Sequence, residues 1–254
     1  MLTSVRSLMA ATILAGTVLA AAPAFAEDEA TPDLKVTGNV TLATQYRFRG
    51  VGLSDGDIAI QGGLTLNTKP GFYVGTWASS LEDTPQYGEV ELDIFGGWAG
   101  QLTDSIGIDV GALYYAYPSA NHKADCIGPC PADVIEFYGK VKPTIGPVGL
   151  TLGVAYMPKQ DSLGSDDNLY LSADAALAIP STPISLSGHV GYTDGGLAYY
   201  LTTNSKAFDW SVGASATVLG GLTLGVSYIG VEHDGPAVDG VTDDAIVGTL
   251  GFSF

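Results

Sequence analysis

From residue 36 onward, apolar and polar side chains alternate one by one, the period of a β-strand with two unlike faces. In the first segment Val36, Gly38, Val40, Leu42, Thr44, Tyr46 and Phe48 share one face, and Thr37, Asn39, Thr41, Ala43, Gln45, Arg47 and Arg49 share the other. The pattern returns at Ile58/Ile60/Leu64/Leu66, Val90/Leu92/Ile94/Trp98, Ile106/Ile108/Val110/Tyr114 and Leu150/Leu152/Val154/Tyr156. It continues at Leu169/Leu171/Ala173/Leu177, Ile184/Leu186/Val190/Tyr192 and Phe208/Trp210/Val212/Val218. Residues 71–80 read as another strand, but the pattern does not decide which of its faces is apolar. About twelve strands result, most near the length of a tilted membrane-crossing strand.

The connections alternate too. Short turn-like pieces at 68–71, 102–105, 146–149, 180–183 and 219–221 interleave with longer polar ones at 50–56, 82–88, 118–132, 158–167, 194–206 and 232–243. Tight periplasmic turns and longer outside loops are the habit of outer-membrane barrels. On that topology Tyr46, Phe48, Tyr114, Tyr156, Tyr192, Phe208, Trp210 and Tyr228 face outward near the extracellular strand ends. Trp98, Phe252 and Phe254 do so near the periplasmic ends, which gives two aromatic girdles at headgroup level. The expected fold is therefore an all-β, antiparallel up-and-down transmembrane barrel over residues 36–254, behind a short periplasmic tail at 27–35.

The first 26 residues need a different reading. Arg6 is followed by an apolar run from Leu8 to Ala22 and by Ala24-Phe25-Ala26. This is the layout of a secretory signal peptide, with cleavage expected between Ala26 and Glu27. No later stretch approaches the ~18 consecutive apolar residues of a membrane helix. Membrane residence would then demand a closed barrel, because lipid leaves no backbone group to be satisfied by solvent. Composition agrees: charged residues are only 15% of the 254, and 34 are glycine. The formal charge of −17, one unit more negative once Arg6 leaves with the leader, argues against nucleic acid or anionic headgroups as direct partners.

Alternation puts Arg47 and Arg49 on the lumen side of the first strand, and Glu89, Glu91 and Asp93 on the lumen side of the fourth. Glu136, Lys140 and Lys142 look inward from the sixth, with Asp109, Asp174 and Asp209 elsewhere. Facing lipid at mid-depth, each charge would cost roughly 2–4 kcal/mol, so inward is the tolerable direction. Such rows either shape a constriction that selects ions or neutralise one another across a plugged lumen. Cys126 and Cys130, in Cys-Ile-Gly-Pro-Cys on the longest outside loop, are expected to form a disulfide after export. With His122 they would make an incomplete metal set, so no metal and no cofactor is expected. Ser187 and His189 share an inward face with no evident orienting acid, which leaves a lipid-modifying enzyme a distant reading and His189 a lone lumen histidine. The final strand, ending Phe252-Ser253-Phe254, resembles the C-terminal signature that the barrel-assembly machinery reads.

Gly38-Asn39-Val40, Tyr46-Arg47-Phe48-Arg49-Gly50-Val51-Gly52-Leu53-Ser54-Asp55-Gly56 and Ala59-Ile60-Gln61-Gly62-Gly63-Leu64 together resemble the porin-like TorF family. Residues 71–80, Glu91-Leu92-Asp93 and Glu136-Phe137-Tyr138 extend the resemblance. It implies an outer-membrane barrel. The expected function is passive diffusion of small hydrophilic solutes or ions, with outer-membrane lipid and the assembly machinery as partners and homo-oligomers left open. The alternative is a closed structural or surface-binding barrel acting through loops 118–132 and 232–243.

Overall fold

The computed structural model describes residues 33–120 and 132–254. The expected leader with its Ala26/Glu27 junction and the Cys126/Cys130 pair lie outside the described residues. Fourteen strands follow in chain order: β1 (Leu34–Ala43), β2 (Arg47–Phe48), β3 (Val51–Gly52), β4 (Ala59–Thr68), β5 (Phe72–Thr84), β6 (Gly88–Thr103), β7 (Ile106–Ala116), β8 (Val134–Ile145), β9 (Val148–Gln160), β10 (Asp166–Ala178), β11 (Ile184–Gly195), β12 (Lys206–Val218), β13 (Leu222–Val231) and β14 (Ala245–Ser253). Twelve of them close into one antiparallel barrel in which β1 pairs with both β4 and β14. The other two, β2 and β3, form a separate two-stranded ribbon.

Each barrel strand keeps its period. On β6, Val90, Ile94 and Trp98 look outward while Glu91, Asp93 and Phe95 are buried. The ambiguous strand resolves the same way: Phe72 and Val74 of β5 are exposed, whereas Trp77 and Ser79 are buried inside. The outward row remains apolar because hydrocarbon, not water, is its neighbour. The short connections and the long ones fall on opposite rims, as the alternation predicts. The ends meet at the closing seam, where Gly38 and Phe254 exchange backbone hydrogen bonds of 2.9 and 3.0 Å. The first strand begins at Leu34, two residues before the expected boundary.

One expectation about the strands fails. The first strand does not run on to Arg49; it stops at Ala43, and residues 46–54 fold inward. Tyr46 and Phe48, expected in the outer girdle, are inside: Tyr46 is only 2% exposed, edge-on to Trp77, and Phe48 packs edge-on to Tyr115. The remaining girdle residues are on the outside, Tyr114, Tyr156, Phe208, Trp210 and Tyr228 near one rim and Phe252 and Phe254 near the other. Inside, Tyr46, Trp77, Phe95, Leu113, Tyr115, Tyr117, Val134, Met157 and Leu163 make an apolar cluster against β5–β9.

Candidate functional site in the lumen

The inward segment is a hairpin. Arg47 and Phe48 pair with Gly52 and Val51, and the two residues between, Arg49 and Gly50, both have positive φ (48° and 81°). That is the pattern of a tight two-residue turn, for which Asn-Gly is the usual choice because few side chains tolerate the left-handed region. Several bonds seat the hairpin. Tyr46 N–H donates to Ser54 Oγ (2.9 Å), Tyr46 OH donates to Glu91 (3.1 Å) and Glu82 N–H donates to the Leu53 carbonyl (2.9 Å).

Arg47 and Arg49 leave this hairpin in different directions. Arg47 has no exposed surface. Its guanidinium donates to the carbonyls of Gly50, Val241 and Asp243 and to Asp243 Oδ1 at 2.8–3.3 Å, so it ties the hairpin to loop 232–244. It is not on the first strand and does not line the lumen, which corrects its expected place. Arg49 sits at the tip. It pairs with Glu136, which also accepts from Tyr115 OH (3.3 Å), and its guanidinium lies 4.0 Å from the centre of the Tyr170 ring.

The remaining expected residues divide by depth. Glu89 is exposed at the outer end of β6. Glu91 and Asp93 face inward but are each 1% exposed within the aromatic core, with Glu91 Oε2 and Asp93 Oδ1 lacking a partner among the described residues. Lys140 and Lys142 point into the other half. Lys142 pairs with Asp109 (2.9 Å), whose second oxygen accepts from Tyr73 OH (2.6 Å). Lys140 Nζ stands 5.2 Å from the centre of the Tyr138 ring.

His189 is not a lone histidine. Nδ1 lies 2.5 Å from Asp174, and Nε2 lies 2.9 Å from both Asp209 and Tyr170 OH. Asp174 is directly opposite His189 in the β10–β11 register. Sequence spacing could not show this, because cross-strand partners depend on register and not on separation along the chain. Among the described residues the imidazole is held by Asp174, Asp209 and Tyr170, and no hydrogen bond joins it to Ser187. Away from these charged groups the inward row is short and polar: Thr37, Thr41, Ser172, Ser187, Ser211, Ser215, Ser227 and Thr249. The lumen is thus crossed by an arginine-tipped hairpin on the outer side and walled by hydroxyls and charge pairs on the inner side.

At the mouth, Asp55, Asp57, Asp161, Asp166, Asp167, Asp234 and Asp239 give the loops an acidic surface. The Thr203 backbone N–H and hydroxyl, each 2.8 Å away, hold the Asp234 carboxyl below the usual carboxylate range. No group of three or more metal-ligating side chains occurs among the described residues.

No curated protein matches the chain in sequence. Among solved structures, the NanC porin superposes with a TM-score of 0.57 at 11% identity, covering 87% of this chain and 99% of that one. The KdgM porin, solved in complex with disordered oligogalacturonate, gives 0.54 at 10% identity, covering 86% and 98%. Identities this low speak for the fold alone: a closed antiparallel barrel of the outer-membrane porin type. At the level of sequence, residues 27–254 match a family model, and the chain belongs to the family described as bacterial protein of unknown function (Gcw_chp).

Proposed function

We propose that the protein is a narrow outer-membrane channel for small hydrophilic solutes or ions, and that the inward hairpin forms its constriction. The observation that carries the reading is Arg49. A charged tip held inside the barrel against Glu136 and Tyr170, above a hydroxyl-lined half, is what a selective constriction requires. Glu136, Lys140 and Lys142 line the passage beside it, with Asp93 buried nearby, while Glu91 supports the hairpin through Tyr46. The porin fold of the NanC and KdgM structures supports this reading.

The same reading includes an exported precursor. The family match begins at residue 27, directly after the expected cleavage point Ala26/Glu27. The exposed Phe252 and Phe254 at the end of the closing strand serve as the assembly signal. Cys126 and Cys130 close their loop as a disulfide.

A second reading keeps the barrel shut. The apolar cluster around Tyr46, Trp77 and Tyr115 fills much of the outer lumen, and a static plug would leave only the loops to act. Planar-bilayer recording of the refolded mature barrel separates the two. Discrete conductance steps are expected. A barrel that is folded by heat-modifiable gel migration yet silent at every voltage would overturn the channel and favour the plug.

A further inference from the structure

We propose that the inward hairpin and two outer loops form one strap, and that the surface contact between Asp234 and Thr203 governs how firmly the Arg49 tip is held inside the barrel. What the strap controls rests on the channel reading; its existence does not.

The inner link joins the hairpin to loop 232–244 backbone to backbone. Gly52 N–H donates to the Val241 carbonyl (2.7 Å), and a Cβ at Gly52 would lie 1.9 Å from the Gly240 carbonyl oxygen. A Cβ at Gly240 would in turn lie 2.7 Å from the backbone of Asp55. Glycine at both positions permits this approach. Beside it the Arg47 guanidinium grips Val241 and Asp243 from a position with no exposed surface. Charge-assisted bonds shielded from water are the strong kind, roughly twice as strong as neutral ones.

The middle link is loop 232–244 itself. The Val238 carbonyl accepts from the amides of Val241, Thr242 and Asp243 (2.9–3.2 Å), and Val238 N–H donates to Thr242 Oγ1 (2.9 Å). The residues that grip the hairpin thus belong to one self-bonded turn and move together.

The outer link is of another kind. Asp234 N–H donates to the Leu201 carbonyl (2.8 Å), and the Asp234 carboxylate accepts from Thr203 N–H and Oγ1, both at 2.8 Å. Asp234 and Thr203 are exposed, so water competes for these bonds. Loop 194–206 is anchored below, where Leu197 N–H donates to the buried Asn168 Oδ1 (3.0 Å). No hydrogen bond or ion pair joins Asp234 or Thr203 to the hairpin among the described residues. In a series of links the weakest yields first, and here it is the one that faces the medium. Leu53–Glu82, Tyr46–Glu91 and Arg49–Glu136 still hold the hairpin to the opposite wall, so release loosens the tip without expelling it.

The test is hydrogen–deuterium exchange of the refolded mature barrel, read by mass spectrometry over the hairpin, the two loops and β9. In Asp234→Ala the hairpin amides around Gly52 and Leu53 are expected to exchange about threefold to tenfold faster, the scale of a lost hydrogen bond or two, with β9 unchanged. Faster exchange confined to the two loops would overturn the strap. Coupling is reciprocal, so Arg47→Gln should quicken loop 194–206 as well as the hairpin, and a loop unmoved by that substitution refutes the strap equally. Should Asp234→Ala loosen β9 too, Thr203→Val, which removes one hydroxyl, is judged by the same criterion. Bilayer recording reads the consequence separately. Asp234→Ala is expected to add brief substates to the wild-type trace, and identical steps in a conducting barrel would remove the tip from the control of the strap. A barrel that never conducts defeats the channel reading alone, and the exchange data then decide the strap by themselves.

Discussion

Arg49 occupies a backbone region that costs a non-glycine residue about 1–2 kcal/mol, and no feature of the turn itself requires arginine there. Strain of this kind persists where the surroundings hold it, here the Glu136 carboxylate and the face of Tyr170. Asparagine suits the same turn better but reaches neither partner. Arg49→Asn should therefore leave the hairpin seated and the barrel folded, because turn relief offsets part of the lost pair. Single-channel conductance should rise and preference for cations should strengthen as the tip loses its charge. Reversal-potential measurements under a salt gradient check this. Wild-type selectivity in the variant would mean that arginine stands outside the ion path. Arg47, one turn away, is a different residue in spite of its neighbouring number. Its guanidinium is spent on carbonyls of loop 232–244, and its work is to hold the two loops together.

The hairpin as an element is an addition to the barrel, not a part of its ladder. Ala43 and Ala59 are directly paired partners at the ends of β1 and β4, so the chain could cross between them in a tight turn without residues 46–57. Replacing 44–58 by Asn-Gly should give a barrel that still folds and shows heat-modifiable migration. Its conductance should be clearly larger than that of the intact protein, and currents no larger than wild type would remove the hairpin from the constriction. The strands were readable from the sequence because their inner and outer faces meet different solvents, which writes period two into every one. The hairpin was not, because residues 44–49 keep the alternation of β1 unbroken: Tyr46 and Phe48 are as apolar as lipid-facing residues would be. They are inside because the lumen offers Trp77, Tyr115 and the Glu91 carboxylate as partners. The signal was there in Arg49-Gly50, Gly52 and Asp55-Gly56, turn chemistry too dense for a continuing strand. The His189 cluster stayed hidden for another reason. Asp174 and Asp209 come from different strands, and only the register of three strands at once brings them to one imidazole.

At the scale of the whole molecule, inside and outside reverse the rule for water-soluble proteins, and adjacent residues on one strand test this directly. Val226 and Ser227 are neighbours on β13. Val226 faces outward and is 51% exposed, while Ser227 faces the lumen. Arginine at the first position must enter hydrocarbon, at a cost of roughly 2–4 kcal/mol near mid-depth. At the second it enters a lumen already walled by hydroxyls and paired charges, where water and Asp or Glu can answer it. Val226→Arg should therefore unfold at markedly lower denaturant in lipid vesicles, whereas Ser227→Arg should stay close to wild type. Ser227→Arg should instead shift reversal potentials toward anions, since it adds one fixed positive charge to the path. Equal destabilisation by the two substitutions would contradict the membrane-spanning assignment itself, whatever the channel recordings show. Equal stability with no change in selectivity from Ser227→Arg would keep the barrel but place the ion path elsewhere. The paired substitutions thus separate the fold, which rests on solvent on both faces, from the passage, which rests on the inner face alone.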